Sequence, residues 1–136
     1  MSLPAAQEHL LTERARAAKG RAYAPYSTFQ VGAALLCADG TIVDGCNVEN
    51  ASYPAGTCAE RVALGAAVVA GPREFPAVAI ATDAPEATPP CGICRQALAE
   101  FAPGLAVLAI DASGRVTRWS LADLLPHPFT PASLHR

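Results

Sequence analysis

The chain has 136 residues, of which 51% are hydrophobic and 16% charged, and this length suits a single domain, which we assign to residues 1–136. Its 10 basic and 12 acidic residues give a net charge of −2, so the basic surface of a nucleic-acid-binding protein is missing. The sequence contains no apolar stretch of membrane-spanning length and no recognisable secretory signal, so we expect no membrane partner and a cytoplasmic location.

The first part of the chain predicts a helix and then a β-hairpin. Residues 4–21 alternate apolar and charged side chains with a helical period, and Gly20 weakens the end of this helix. The apolar segment 29–38, the turn at Asp39-Gly40 and the segment 41–47 together predict the hairpin.

The second part of the chain alternates helices with strands. Residues 58–70 are small and apolar on nearly all sides, which predicts a buried helix. A strand is expected over 77–82, a helix over 91–101 and a second strand over 105–110. The turn that follows is too short for a parallel crossover, so the strand predicted over 115–119 should run antiparallel to its predecessor.

The chain end predicts a short final helix and then an extended segment. Ser120 is placed to cap this helix, which should end at Pro126, and residues 126–136 are expected to lie extended on the surface. Taken together, the elements predict an α/β fold. We expect a three-layer α/β/α arrangement around a mixed five-stranded sheet that opens with a β-hairpin.

Three of the five cysteines lie at predicted helix starts. Cys58 opens the helix 58–70, and Cys91 and Cys94 span the first turn of the next helix. First-turn N–H groups and the helix dipole favour thiolates. A C-x-x-C pair also suits redox chemistry, but a third thiol at another helix start favours a metal. Three thiolates without a fourth protein ligand leave one position of a tetrahedral zinc ion open, which is typical of a catalytic site.

Two charged residues follow Cys58 directly in the same helix turn. Glu60 is expected to lean toward the point just ahead of the helix, where a carboxylate beside a metal-activated water is suited to shuttle protons. Arg61 is available to offset the negative charge of three thiolates around one Zn²⁺. The alternative interpretations are three buried thiols and a solvated acid at Glu60. Cys37 and Cys46 carry no motif, and we expect both to be buried packing residues.

These residues form the pattern of zinc deaminases, in which Cys/His-x-Glu is joined to Pro-Cys-x-x-Cys. Here the pattern is Cys58-Ala59-Glu60 with Pro90-Cys91-Gly92-Ile93-Cys94. Further matching segments are Tyr26-Ser27-Thr28-Phe29-Gln30-Val31-Gly32-Ala33-Ala34, Gly45-Cys46-Asn47-Val48-Glu49-Asn50-Ala51 and Leu124-Leu125-Pro126-His127-Pro128-Phe129. From about residue 22 to 129, the chain resembles the small homotetrameric cytidine deaminases of nucleoside salvage.

The resemblance implies roles for the three cysteines and for the two charged residues that follow Cys58. Cys58, Cys91 and Cys94 would ligate Zn²⁺, and Glu60 would be the general acid and base. Arg61 would hydrogen-bond to the ligand thiolates and moderate their charge.

It also implies a set of substrate contacts. Asn47 and Glu49 would hold the ribose hydroxyls, Phe29 would pack near the base and sugar, and the backbone of Ala59 would help to read the pyrimidine edge. Phe129 would reach into a neighbouring subunit's pocket, so that active sites are shared across a homotetramer. Without the resemblance, the side chains of these residues would pass as ordinary strand, loop and surface groups.

The implied reaction is the hydrolytic deamination of cytidine and 2'-deoxycytidine to uridine and 2'-deoxyuridine with release of ammonia, by a zinc-activated water with Glu60 as the proton shuttle. Glu49 near the sugar would repel a phosphate, which favours a free nucleoside. One alternative is a blasticidin-type aminonucleoside deaminase, although Asn47-Val48-Glu49-Asn50 and the Phe129 segment fit cytidine deaminases better. The other is a non-catalytic, zinc-stapled interaction module, which would not need Glu60.

Overall fold

A computed structural model describes residues 3–134. Five helices and five strands follow one another along this part of the chain, with a 3₁₀ turn at Tyr53–Ala55. In chain order they are α1 (Ala5–Lys19), β1 (Val31–Leu36), β2 (Ile42–Cys46), α2 (Ala59–Ala70), β3 (Ala77–Thr82), α3 (Gly92–Ala99), β4 (Ala106–Ile110), β5 (Val116–Ser120), α4 (Leu121–Leu124) and α5 (Pro131–Leu134). No helix among the residues described is long and apolar enough to cross a membrane.

The strands form one mixed sheet in the order β2-β1-β3-β4-β5. β3 and β4 are parallel and are joined through α3, whereas the other three neighbouring pairs are antiparallel. The predicted hairpin is therefore confirmed as β1 and β2, and the predicted antiparallel last strand is confirmed as β5. At the hairpin turn, Gly40 takes a φ of 92°, which glycine adopts without the steric cost of a side chain.

Helices cover both faces of the sheet, so the three-layer prediction is confirmed. Because side chains alternate along a strand, Ala33 and Leu35 of β1 face one layer while Ala34 and Leu36 face the other. The first layer holds α2, α3 and α4, and the second holds α1. All six residues of β3 are buried, as expected for a central strand covered on both sides.

Small residues let the helices approach the sheet closely. A Cβ added to Gly32 of β1 would lie 2.0 Å from the carbonyl oxygen of Ala15 in α1. One added to Gly45 of β2 would lie 2.3 Å from the carbonyl oxygen of Ala59 in α2. Because backbone atoms cannot give way as a flexible side chain can, each glycine fixes the seating of one helix.

The structure departs from the sequence predictions at the chain end and at one cysteine. Ser120 precedes α4, but its side chain makes no capping hydrogen bond. The tail predicted to be extended contains the helical turn α5, while residues 135–136 lie outside the described part of the chain. Cys37 is buried as predicted, but Cys46 is only half-buried, because its strand, β2, is at the edge of the sheet.

Candidate active site

Three thiols from two helix starts meet at one point. Cys58 is the N-cap residue of α2, Cys91 is the N-cap residue of α3, and Cys94 lies in the first turn of α3. The three Sγ atoms lie within 4.8 Å of one another. Among the residues described, these three cysteines are the group of histidine, cysteine or acidic side chains that could hold a metal ion.

The spacing of the thiols fits a zinc ion. A Zn–S bond of about 2.3 Å and a tetrahedral angle place two ligand sulfurs about 3.8 Å apart, and the Sγ atoms of Cys58 and Cys91 are 3.7 Å apart. This distance is far longer than a disulfide bond, which measures about 2.05 Å. The chemistry and spacing of the donor set therefore suit zinc, with one tetrahedral position left open.

The surroundings of the thiols affect their ionisation differently. Burial raises the pKa of Cys58, against a hydrogen bond from Arg61. Burial and the nearby carboxylate of Glu60 raise the pKa of Cys94. At Cys91 burial is opposed by hydrogen bonds from the Cys94 backbone and from the other two thiols, which together lower its pKa. A divalent cation at the centre would favour the thiolate form of all three.

Arg61 brings a positive charge to the thiols. Its Nη2 atom donates to the Sγ of Cys58 over 3.7 Å. Its Nε atom is buried and makes no hydrogen bond within the described residues. A guanidinium that reaches a thiol cluster in this way is suited to offset the charge of bound thiolates.

Glu60 faces the same point as the thiols. Glu60 is only 5% exposed. Together with Cys58 and Cys91, it lines a cavity of about 250 Å³. Burial raises the pKa of its carboxyl group above the ordinary glutamate value. A raised pKa makes a carboxyl group a better proton acceptor, which suits acid–base chemistry.

Polar and aromatic side chains also line this cavity. Phe29, Asn47 and Glu49 line it, together with Ala59 at the start of α2. The amide of Asn47 accepts a hydrogen bond from the Val31 N–H and donates one to the Phe29 carbonyl, both over 2.8 Å. Thiols, a carboxyl group and hydrogen-bonding side chains thus line one and the same cavity.

Phe129 does not lie among the residues that line this cavity. Its side chain is exposed, and its backbone is held by Gln96 of α3. The Gln96 side chain donates to the Phe129 carbonyl over 2.7 Å and accepts from the Phe129 N–H over 3.2 Å. The tail therefore presents this ring outward from the helix that carries two of the thiols.

Comparison with known proteins agrees with this geometry. The model of the cytidine and deoxycytidylate deaminase zinc-binding region matches residues 5–110. A cytidine deaminase of Sporosarcina psychrophila is 44% identical over 128 residues, which cover 93% of each chain. One from Halalkalibacterium halodurans is 42% identical over 130 residues, covering 95% of this chain and 98% of the relative. The chain belongs to the cytidine deaminase family.

The fold comparison leads to the same family. A crystal structure of cytidine deaminase from Burkholderia pseudomallei has a TM-score of 0.86 and 48% identity, over 89% of this chain and 98% of that one. The chain is therefore an enzyme of the zinc-dependent cytidine deaminase type, with the α/β fold predicted from its sequence.

Three features of this cytidine deaminase family site were not predicted from the sequence. Ser27 and Thr88 line the cavity, and Gln96 holds the tail. The segment Tyr26-Ser27-Thr28-Phe29 carried part of the family resemblance, which was the available signal for Ser27. Gln96 had no such signal, because its partner is 33 residues further along the chain.

Proposed function

We propose that this enzyme hydrolyses cytidine and 2'-deoxycytidine to uridine and 2'-deoxyuridine, releasing ammonia. One observation carries the proposal: a single cavity is lined both by Cys58, Cys91 and Glu60 and by Phe29, Asn47 and Glu49. The first group suits hydrolysis at a ring carbon, and the second suits recognition of a sugar. A nucleoside is the class of molecule that presents both parts.

Cys58, Cys91 and Cys94 are proposed to hold Zn²⁺, which their spacing fits. When bound, zinc supplies a Lewis acid that activates a water molecule. Arg61, which donates to the Cys58 thiol, moderates the charge of the ligands.

Glu60 is proposed to move the protons of the reaction. Its carboxylate takes a proton from the water that attacks C4 of the pyrimidine. This proton passes to N3 as the C4–O bond forms. Glu60 then takes the second proton from the new hydroxyl group at C4 and gives it to the departing amine, so the C4–N bond breaks, the C4 carbonyl forms and ammonia leaves. The low exposure of Glu60 keeps bulk water from competing for these protons.

Asn47 and Glu49 are proposed to bind the sugar hydroxyls. One amide hydrogen of Asn47 is used by the Phe29 carbonyl, which leaves the second free for a ligand oxygen. Glu49 keeps its negative charge, because hydrogen bonds from Ser27 and Tyr26 lower its pKa. A fixed carboxylate accepts from hydroxyl groups and repels phosphate, which favours nucleosides over nucleotides.

Phe29 and Ala59 are proposed to complete the pocket for the base. Both line the cavity, and Phe29 is 40% exposed there, so its ring can pack against the base and sugar. Ala59 is the first residue of α2, where backbone N–H groups have no partner within the helix. Its backbone is thus placed to read polar atoms on the pyrimidine edge.

A homotetramer with shared active sites is proposed on the evidence of uncovered apolar surface. Gly65, Ala66 and Val69 form an exposed, uncharged stripe on α2, and Val69 is 89% exposed. Phe129 is also exposed and does not line the cavity of its own chain. Association of copies would cover both features. A cytoplasmic location stays a prediction from the sequence.

The deciding experiment replaces Glu60 by Gln in the zinc-loaded enzyme and follows cytidine by its ultraviolet absorbance. We expect kcat to fall by about 10²–10⁴-fold, because one positioned acid–base group contributes roughly that factor, while the zinc content stays unchanged. Glu100→Gln makes the same chemical change at the exposed end of α3 and should leave kcat as it is. A Glu60→Gln enzyme with full activity would refute the mechanism.

A further inference from the structure

The loop before β1 wraps around the carboxylate of Glu49. The Oε1 atom accepts hydrogen bonds from the backbone N–H groups of Tyr26, over 2.9 Å, and Ser27, over 3.1 Å. The Oε2 atom accepts a third, short hydrogen bond from the hydroxyl of Ser27. Three donors from two consecutive residues therefore hold one acidic side chain.

The backbone of Thr28 makes this arrangement possible. Thr28 has a φ of 59°, a left-handed conformation that is costly for a β-branched residue. Its N–H donates to the Ala24 carbonyl over 3.0 Å, and its hydroxyl donates to the Ser27 carbonyl over 2.6 Å. The chain turns back at this point, and the Ser27 hydroxyl also accepts from the Phe29 N–H over 3.0 Å.

The carboxylate of Glu49 keeps one acceptor position for a ligand. Each carboxylate oxygen has about two acceptor positions. The two backbone donors fill those of Oε1, whereas Oε2 uses one for Ser27 and keeps one. Ser27 and Glu49 both line the cavity, so the hydroxyl of Ser27 fixes the atom of Glu49 that still has an acceptor position free.

We propose that Ser27 is a positioning residue that aims Oε2 of Glu49 at a sugar hydroxyl and thereby sets the preference for nucleosides that carry it. The inference rests on the proposed nucleoside deaminase function. Since cytidine and 2'-deoxycytidine are both proposed substrates, the hydroxyl concerned is one they share, and the 3'-hydroxyl is the shared group on the sugar ring itself. Ser27 acts through Glu49 and also anchors Phe29, so the loop sets two walls of the sugar pocket at once.

The test compares two substrates that differ only in the 3'-hydroxyl, namely 2'-deoxycytidine and 2',3'-dideoxycytidine. In the wild-type holoenzyme, kcat/KM should be higher for 2'-deoxycytidine. Ser27→Ala should lower that value by about 10-fold, mainly through KM, because a hydrogen bond to a charged group is lost. The kcat/KM for 2',3'-dideoxycytidine should change little, so the ratio of kcat/KM for 2'-deoxycytidine to that for 2',3'-dideoxycytidine should fall.

Two further variants separate positioning from folding. Ser27→Thr keeps the hydroxyl group and should restore the wild-type ratio of the two kcat/KM values. The cysteine of Ser27→Cys is similar in size to serine but is a weak donor, so this variant should lower the ratio as Ser27→Ala does. Ser113→Ala is the matched control, since it removes a serine hydrogen bond to a carboxylate, that of Asp111, in the turn between β4 and β5. It should leave the ratio unchanged.

The outcomes also distinguish this inference from the proposed function. If Ser27→Ala lowers kcat/KM equally for both substrates, or for neither, Ser27 does not set the sugar preference and the inference is wrong. If the wild-type holoenzyme deaminates neither nucleoside, the proposed function itself fails.

Discussion

The proposed metal side and the proposed sugar side of the site are built by different means. The metal side consists of side chains at the starts of α2 and α3, with Cys94 fully buried and Glu60 nearly so. The sugar side consists of exposed and half-buried loop residues held by hydrogen bonds, such as those between Glu49 and the Ser27 loop. The metal side therefore depends on helix packing and the sugar side on a hydrogen-bond network. Disrupting either one should have its own experimental signature.

The largest effect is expected from removing a thiol on the metal side. Cys94→Ala should reduce the zinc content from about one ion per chain to near zero, and deamination should fall to background. Cys37→Ala is the control, because it also removes a buried thiol but one outside the cluster; it should lower the unfolding temperature and leave the zinc content unchanged. Metal analysis and the absorbance assay on the same samples check both results, and a fully loaded Cys94→Ala enzyme would contradict the assignment of the ligands.

A smaller but still large effect, on stability, is expected where β2 packs against α2. Gly45→Ala should lower the free energy of unfolding by about 3 kcal/mol, the upper range for overpacking, because the added Cβ would meet the Ala59 carbonyl oxygen at 2.3 Å. Gly104→Ala, where nothing lies within 4 Å of an added Cβ, should change stability little. Denaturant unfolding measures both, and equal stabilities would show that α2 can move away from β2 at little cost.

Gln96 links the metal-side helix to the tail and should give an intermediate effect. Gln96→Ala removes both hydrogen bonds to Phe129, so the ring loses its fixed position, and KM should rise by about 10-fold for two neutral hydrogen bonds. The zinc content should not change, in contrast to Cys94→Ala. Gln7→Ala on α1 makes the same substitution away from the site and should have no kinetic effect; a rise in KM there too would undermine the interpretation.

The smallest effect concerns the ionisation of Glu49 on the sugar side. Hydrogen bonds from Ser27 hold its folded-state pKa below the ordinary glutamate value. The stabilisation from its ionised form is therefore complete above the unfolded-state pKa and is lost as pH falls through the lower folded-state pKa. Titration of the Glu49 carboxyl carbon by NMR should show a low midpoint that rises in Ser27→Ala, and an unchanged midpoint would mean that the serine hydroxyl contributes little.

The same division explains what could be predicted from the sequence. The strands, the buried helices and the grouping of Cys58, Cys91 and Cys94 follow from local periodicity and from short spacings at helix starts. The parallel pairing of β3 with β4 could be expected because a helix lies between them. Each of these features carries a local signal in the sequence, although Cys58 and Cys91 are 33 residues apart.

The remaining features depend on contacts that are distant in sequence. Ser27 donates to a carboxylate 22 residues away, and the residues next to Ser27 in sequence do not indicate that partner. The half-burial of Cys46 follows from the position of β2 at the sheet edge, which the hairpin pattern alone did not specify. The helical turn α5 was missed because prolines dominate the tail and predicted an extended segment.

The layer formed by α1 has a consequence for how this enzyme can change. It packs on the alanine-rich face of the sheet, against Ala77, Ala79 and Ala81, and none of its residues lines the cavity. Substitutions that alter the packing of α1 against the sheet therefore change the heat resistance of the protein without altering a residue that lines the cavity. A lineage adapting to a new temperature can vary this face while selection on the opposite face keeps the chemistry constant.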